Sequence, residues 1–137
     1  MTDLFALSMD PDALRGVSEL GLAHVGDAVF ELLVRSSLCL GGAATNKTLH
    51  KKTVAQVSAP AQAEFADKIL PLLTEDELAV WRRGRNAHPH QVPKSASPAQ
   101  YSRATGLETL FGWLWLTGQR ARLSALFAAG TEESHAL

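Results

Sequence analysis

The chain has 137 residues, enough for one domain, and its 46% hydrophobic and 20% charged residues are the balance of a folded globular protein rather than a disordered one. Its single cysteine, Cys39, excludes an intrachain disulfide and a cysteine-based zinc site. No apolar run reaches the roughly 20 residues that span a bilayer, and the opening residues lack the basic-then-apolar pattern of a secretory leader, so a reducing, cytoplasmic setting is expected.

The predicted elements are helices. There are 21 Leu and 21 Ala against 8 Val and 1 Ile, the composition of helices rather than strands. A weak short helix is expected over Pro11–Arg15. Ser18 caps a long helix running to about Leu40, stopped by Gly41-Gly42. Thr45 caps the next, to about Val57, and Ser58 a third, to about Leu70 before Pro71. Thr74-Glu75-Asp76-Glu77 is a capping box with acids in the positive first turn, opening a helix to about Arg85. A loop with two prolines follows, from Asn86 through Lys94. Ser97-Pro98 opens a helix to about Thr117, with Gly118 as its stop. A last helix covers about Gln119 to Ala129, ended by Gly130, and residues 131–137 read as a frayed tail. The expectation is a single all-α domain of six or seven helices over residues 1–137, with its core at about 18–130.

Net charge is −1, but the charge is unevenly placed. Residues 32–63 hold four basic side chains (Arg35, Lys47, Lys51, Lys52) and no acid, and residues 78–107 hold five (Arg82, Arg83, Arg85, Lys94, Arg103), again with no acid. Two such segments can attract a polyanion or simply form solvated faces. Three arginines within Arg82–Arg85 are more than a helix C-terminus needs to satisfy its dipole.

Two acids stand inside apolar helical runs. Asp27 lies in Leu22-Ala-His-Val-Gly-Asp-Ala-Val-Phe-Glu, and Glu108 in Leu107-Glu-Thr-Leu-Phe-Gly-Trp-Leu. A carboxylate in a buried setting costs several kcal/mol unless it is paired or binds metal. Each has a glycine nearby, Gly26 and Gly112, which lets two helices approach closely. One reading pairs these acids with Arg35 or Arg103. The other makes them the ligands of a hard cation, Mg²⁺ or Mn²⁺, suited to hydrolysis of a phosphodiester. His24, Asp27, Glu31 and Arg35 fall on one helix face. Glu31 can thus assist a metal or pair with Arg35. His50 with Lys47, Lys51 and Lys52 can line a phosphate backbone. Trp81, Trp113 and Trp115 read as core residues, with a partner surface as the other use.

The segment around Gly26-Asp-Ala-Val29 resembles the first acidic helix of the ribonuclease III catalytic domain, and Ala104-Thr-Gly-Leu-Glu-Thr-Leu-Phe-Gly112 resembles its second. Leu49-His-Lys-Lys52, Arg82-Arg-Gly-Arg-Asn86 and Val92-Pro-Lys94 are similar to motifs of that family's short branch, Mini-ribonuclease III, and the likeness runs over about Glu19 to Leu126. The resemblance implies a homodimeric, Mg²⁺-dependent endonuclease on double-stranded RNA, leaving 5′-phosphate and 3′-hydroxyl ends. It also implies large-subunit (23S) ribosomal RNA precursors as substrate, with a ribosomal protein as a possible helper. Asp27 and Glu108 match the family's metal-binding acids. Ala23 and Thr105 stand where full-length ribonuclease III has two further acids, as in the short branch, which leaves the number of metal ions open. The double-stranded RNA-binding domain of full-length ribonuclease III is not expected after the catalytic part. RNA contacts are therefore expected from Lys47, His50, Lys51, Lys52, Arg82, Arg83, Arg85, Asn86 and Lys94, mainly through phosphates and 2′-hydroxyls. The reading from another class is a non-catalytic RNA-binding, ribosome-assembly module on a degenerate form of the same fold.

Overall fold

The computed structural model describes residues 2–42, 45–87 and 97–131. Among them are seven α-helices and two short 3₁₀ turns, with no strand: α1 (Pro11–Leu14), α2 (Glu19–Leu40), α3 (Asn46–Val57), α4 (Ala59–Ile69), α5 (Glu75–Asn86), α6 (Pro98–Leu116) and α7 (Arg120–Thr131). The caps are those the sequence announces. Ser18, Thr45, Ser58, Thr74 and Ser97 each accept from a backbone N–H in the first turn they open. Thr74 and Ser97 complete reciprocal capping boxes with Glu77 and Gln100. Gly118, at φ 76°, turns the chain between α6 and α7. Two boundaries differ from expectation. The third helix tightens into a 3₁₀ turn through Pro71 (Leu70–Leu72). Gly130 does not stop the last helix; it lies buried within α7, where a Cβ would run into the Phe65 ring. Its use is close packing, not a turn. Lys94 and the rest of the two-proline loop at 88–96 lie outside the described residues, as does the tail at 132–137.

Helix α6 is the central element, packed chiefly against α2, α5 and α4. Its Leu107, Leu110, Phe111 and Leu114 are wholly buried. Phe30 of α2, Phe65 of α4, Phe111 of α6 and Phe127 of α7 meet around it, with Phe30 edge-on to Phe65 at a centroid distance of 5.1 Å. Burying each such ring is worth about 1.5–3 kcal/mol, and edge-on pairing adds about 0.5–1.5 kcal/mol. At the rim, Arg122 donates to both oxygens of buried Glu77 at 2.8 Å and to the Leu72 carbonyl at 2.9 Å. These bonds hold Glu77 below the usual carboxylate range and tie α7 to the start of α5. The N-terminal segment closes the far end, with Met9 N–H on the Leu116 carbonyl at 2.7 Å and Arg120 over the Trp115 ring.

At one point α2 and α6 approach backbone on backbone. A Cβ on Gly26 would enter the Glu108 carbonyl and stand 2.7 Å from the Gly112 nitrogen; a Cβ on Gly112 would enter the Leu22 carbonyl. The two glycines therefore face each other, as their places beside the two acids suggest. Gly26→Ala or Gly112→Ala should cost about 3 kcal/mol or more, since neither wall of the contact is a side chain that can rotate away. Gly41→Ala, at a helix end with only ordinary contacts and a negative φ, should stay within about 0.5 kcal/mol of the parent. Denaturant unfolding of the three variants tests this, and equal losses for all three would contradict it.

Candidate active site

Asp27 follows Gly26 on α2, and Glu108 sits one turn before Gly112 on α6. The glycine contact brings the two helix backbones together at this level, and the carboxyl groups come within hydrogen-bonding reach of each other. Glu108 is half-buried, whereas Asp27 is exposed, which corrects the expectation that both acids are enclosed. Asp27 shares a face of α2 with the buried Phe30 and Val34, one and two turns further on, yet is itself exposed.

Burial first, then the Asp27 charge and an Asp27 hydrogen bond, push the Glu108 carboxyl up to about 8 against an opposing contact from Gln62. No arginine relieves the pair. Arg35 is 2.7 Å from Glu31, and Arg103 is paired with Asp67. The arginine-pairing reading of Asp27 and Glu108 is thereby set aside. Glu31 is committed to Arg35 and does not join the pair; among the described residues no group of three His, Cys, Asp or Glu side chains is placed to hold a metal. The helical stripe thus divides: Asp27 faces Glu108, Glu31 and Arg35 pair, and His24 joins an apolar groove.

Ala23 and Thr105 are both buried, and the Thr105 hydroxyl donates to the Tyr101 carbonyl at 3.0 Å. Neither brings a carboxylate to the site. Gln62, on α4, was not among the sequence candidates. Its amide nitrogen donates to the Val57 carbonyl at 3.0 Å and lies 3.5 Å from a Glu108 oxygen. Two neighbouring carboxylates, with no cation paired to them among the described residues, are oxygen donors that suit a hard divalent ion holding several waters.

The basic residues divide into exposed and engaged groups. Lys47, His50, Lys51 and Lys52 are exposed on α3. His50 also lines a cavity of about 230 Å³ between α2 and α3, with Arg35, Cys39 and Asn46. On α5, Arg82 and Asn86 are exposed, Arg83 lies 3.7 Å from Glu19, and Arg85 stacks over Trp81 while donating to Asn86. Trp81 is core and Trp113 packs against it; Trp115 instead lines a groove of about 380 Å³ with His24, Val25, Ala28, Val29 and Leu32.

A family model described as the ribonuclease III domain matches residues 20–119. The chain is 45% identical over 113 residues to a Mini-ribonuclease 3 of Symbiobacterium thermophilum, covering 82% of this chain and 87% of that protein. It is 42% identical over 127 residues to a Mini-ribonuclease 3 of Gloeobacter violaceus, covering 93% and 92%. A crystal structure of a Fusobacterium nucleatum protein is similar at a TM-score of 0.75 and 30% identity, covering 83% of this chain and 91% of that one.

The raised Glu108 makes a pH prediction for the metal-free protein. Its folded value of about 8 exceeds the ordinary 4.5, so the folded state holds the proton more tightly than the unfolded state does. The stability this supplies is complete below about 4.5 and is lost as pH rises through about 8. In chelator, the melting temperature of the parent should fall between about pH 5 and about pH 9, and Glu108→Gln should remove most of that decline. Parallel melting curves for the two proteins would show that Glu108 is not held protonated.

Proposed function

The chain belongs to the ribonuclease III family, in its Mini-ribonuclease 3 branch, and from that premise we propose that it is a divalent-metal-dependent endonuclease that cleaves double-stranded RNA. The observation that carries this reading is the Asp27–Glu108 pair, brought together by the glycine contact and left without a cationic partner among the described residues. A fold that used these acids only for stability would have neutralised them, as it neutralises Glu77 with Arg122. This also weighs against the non-catalytic RNA-binding alternative.

Asp27 and Glu108 are the residues to hold Mg²⁺, with Mn²⁺ as a substitute. When bound, the ion supplies a Lewis acid at the scissile phosphate and a water made acidic enough to attack in line, leaving 5′-phosphate and 3′-hydroxyl ends. The chain's own part is to set the two carboxylates at one spacing and to keep cations of its own away from them. Lys47, Lys51, Lys52 and Arg82, exposed at α3 and α5, hold the RNA backbone; Arg83 and Arg85 join once released from Glu19 and Trp81. The family resemblance makes 23S ribosomal RNA precursors the substrate to try first.

We place the homodimer surface on the exposed face of α2. Leu20 and Leu32 are 44% and 54% exposed there, beside the groove that ends on Trp115. A second copy is the fitting occupant because Asp27 lies on the same helix, so pairing across this face brings two carboxylate pairs to one composite surface for the two strands of a duplex.

Asp27→Asn should lower cleavage of an RNA duplex by about a thousandfold, the several kcal/mol that metal assistance supplies, and chelator should do the same to the parent. Duplex binding by Asp27→Asn should persist. Substantial cleavage by this variant would remove Asp27 from the chemistry. Arg82→Ala should weaken duplex binding and reduce its salt slope by about one, read from binding isotherms at several salt concentrations. Leu32→Glu should convert a sedimenting dimer to monomer; a dimer unaffected by it would move the interface elsewhere.

A further inference from the structure

Gln62 is 2% exposed, and its position is unusual for an amide. It sits on α4 in Ala61-Gln-Ala-Glu, enclosed rather than facing solvent. Its amide orientation is fixed by chemistry. The Val57 carbonyl, 3.0 Å away, can only accept, so the nitrogen must face it and the oxygen must face elsewhere. The same nitrogen reaches Glu108 at 3.5 Å, across 46 residues of sequence. The oxygen, Oε1, is buried and has no hydrogen-bond partner among the described residues. A buried acceptor without a partner is destabilising, a cost that a leucine at this position would avoid.

We infer that Gln62 is a positioning residue of the carboxylate site, its amide nitrogen fixing Glu108 and its orphaned oxygen serving as the acceptor for the hydration shell of the divalent ion. The inference rests on the metal-dependent reading above. Two carboxylates fill only part of the coordination of Mg²⁺ or Mn²⁺, and the remaining waters need acceptors that hold them in place. Ala23 has no polar side-chain atom to give, and Glu31 is held by Arg35. Among the described residues Gln62 Oε1 is the buried side-chain oxygen left with no hydrogen-bond partner, on the amide whose nitrogen reaches Glu108. It is also the right kind of oxygen: an amide adds an acceptor without adding a third negative charge to a pair already crowded by its own repulsion. The Val57 bond explains why the side chain is rigid enough for the task, since it anchors the amide to the last turn of α3.

The test measures Mn²⁺ binding to the whole chain without RNA, by electron paramagnetic resonance, in the parent, Gln62→Met, Gln62→Asn and Asp27→Asn. Gln62→Met keeps the side chain's length and removes both polar atoms. It should bind Mn²⁺ about 10–100-fold more weakly, the usual effect of losing a partner that orients a metal ligand. Its cleavage should need correspondingly more metal. A residue that only tied α4 to Val57 would shift the melting temperature and leave Mn²⁺ affinity untouched; that result in a folded Gln62→Met overturns the inference. Should Gln62→Met fail to fold, the parent decides by nuclear magnetic resonance. The Gln62 side-chain amide signals should move during a Mg²⁺ titration with the midpoint of the site, and fixed signals overturn the inference. Mn²⁺ binding by the parent and its loss in Asp27→Asn keep the two-carboxylate reading standing whatever Gln62 does. No Mn²⁺ binding by the parent overturns both.

Discussion

The approach of α2 to α6 at Gly26 and Gly112 is the constraint on which the rest of the molecule depends. Helices usually pack with axes 8–10 Å apart because side chains fill the gap. Here each glycine admits the other helix's carbonyl, so the two backbones touch without a side chain between them. Three consequences follow from that one contact. Helix α6 is drawn deep enough for Leu107, Leu110, Phe111 and Leu114 to be enclosed on all sides. The residue after Gly26 and the residue one turn before Gly112 are forced to the same level of the fold. Those two residues are acids, so the packing that completes the core also compresses like charge.

The molecule treats its two enclosed glutamates in opposite ways, and the contrast is informative. Glu77 receives both prongs of Arg122 and a capping-box bond, and is held below its ordinary range. Glu108 receives the negative field of Asp27 and one long contact from Gln62, and is pushed up to about 8. Arginines were within reach by sequence. Arg35 lies two turns along α2 from Asp27, and Arg103 lies on α6 itself, yet they pair with Glu31 and Asp67. A group perturbed by burial and a like charge, beside an exposed partner, is the physical mark of a site rather than of a brace.

Features governed by neighbours in sequence were legible in advance. Ser18, Thr45, Ser58, Thr74 and Ser97 are caps because a side-chain oxygen three residues before an amide is a local fact, and the helices they open stand where expected. The glycine contact was legible for a similar reason, since Gly26 stands beside Asp27 and Gly112 one turn after Glu108, each inside an apolar run. What was not legible depends on partners far along the chain. Gln62 meets Glu108 across 46 residues, and Arg122 meets Glu77 across 45. Nothing in Ala-Gln-Ala-Glu distinguishes an enclosed amide from a solvated one. Gly130 read as a stop because glycine usually is one, while its real neighbour, Phe65, is on another helix. The exposure of Asp27 depends on what packs against α2 at its level, and an apolar run with residues on every side does not reveal it.

The basic residues show the limit of counting charge. Lys47, Lys51 and Lys52 share one exposed helix, and a polyanion meets them without displacing anything. Arg83 and Arg85 offer the same formal charge but hold Glu19 and the Trp81 face, so their use by a ligand first costs the contacts they already make. Exposed ion pairs are worth about 0–1 kcal/mol and a cation over an aromatic ring about 0.5–1 kcal/mol, which is a small toll against a phosphate contact. The toll still orders the residues. Under the proposed reading, the exposed lysines of α3 and Arg82 would meet a charged backbone first, and Arg83 and Arg85 would follow at the expense of Glu19 and the Trp81 face. The same reading needs Asp27 and Glu108 free of arginine, and the two arginines that share their helices, Arg35 and Arg103, are drawn off by Glu31 and Asp67.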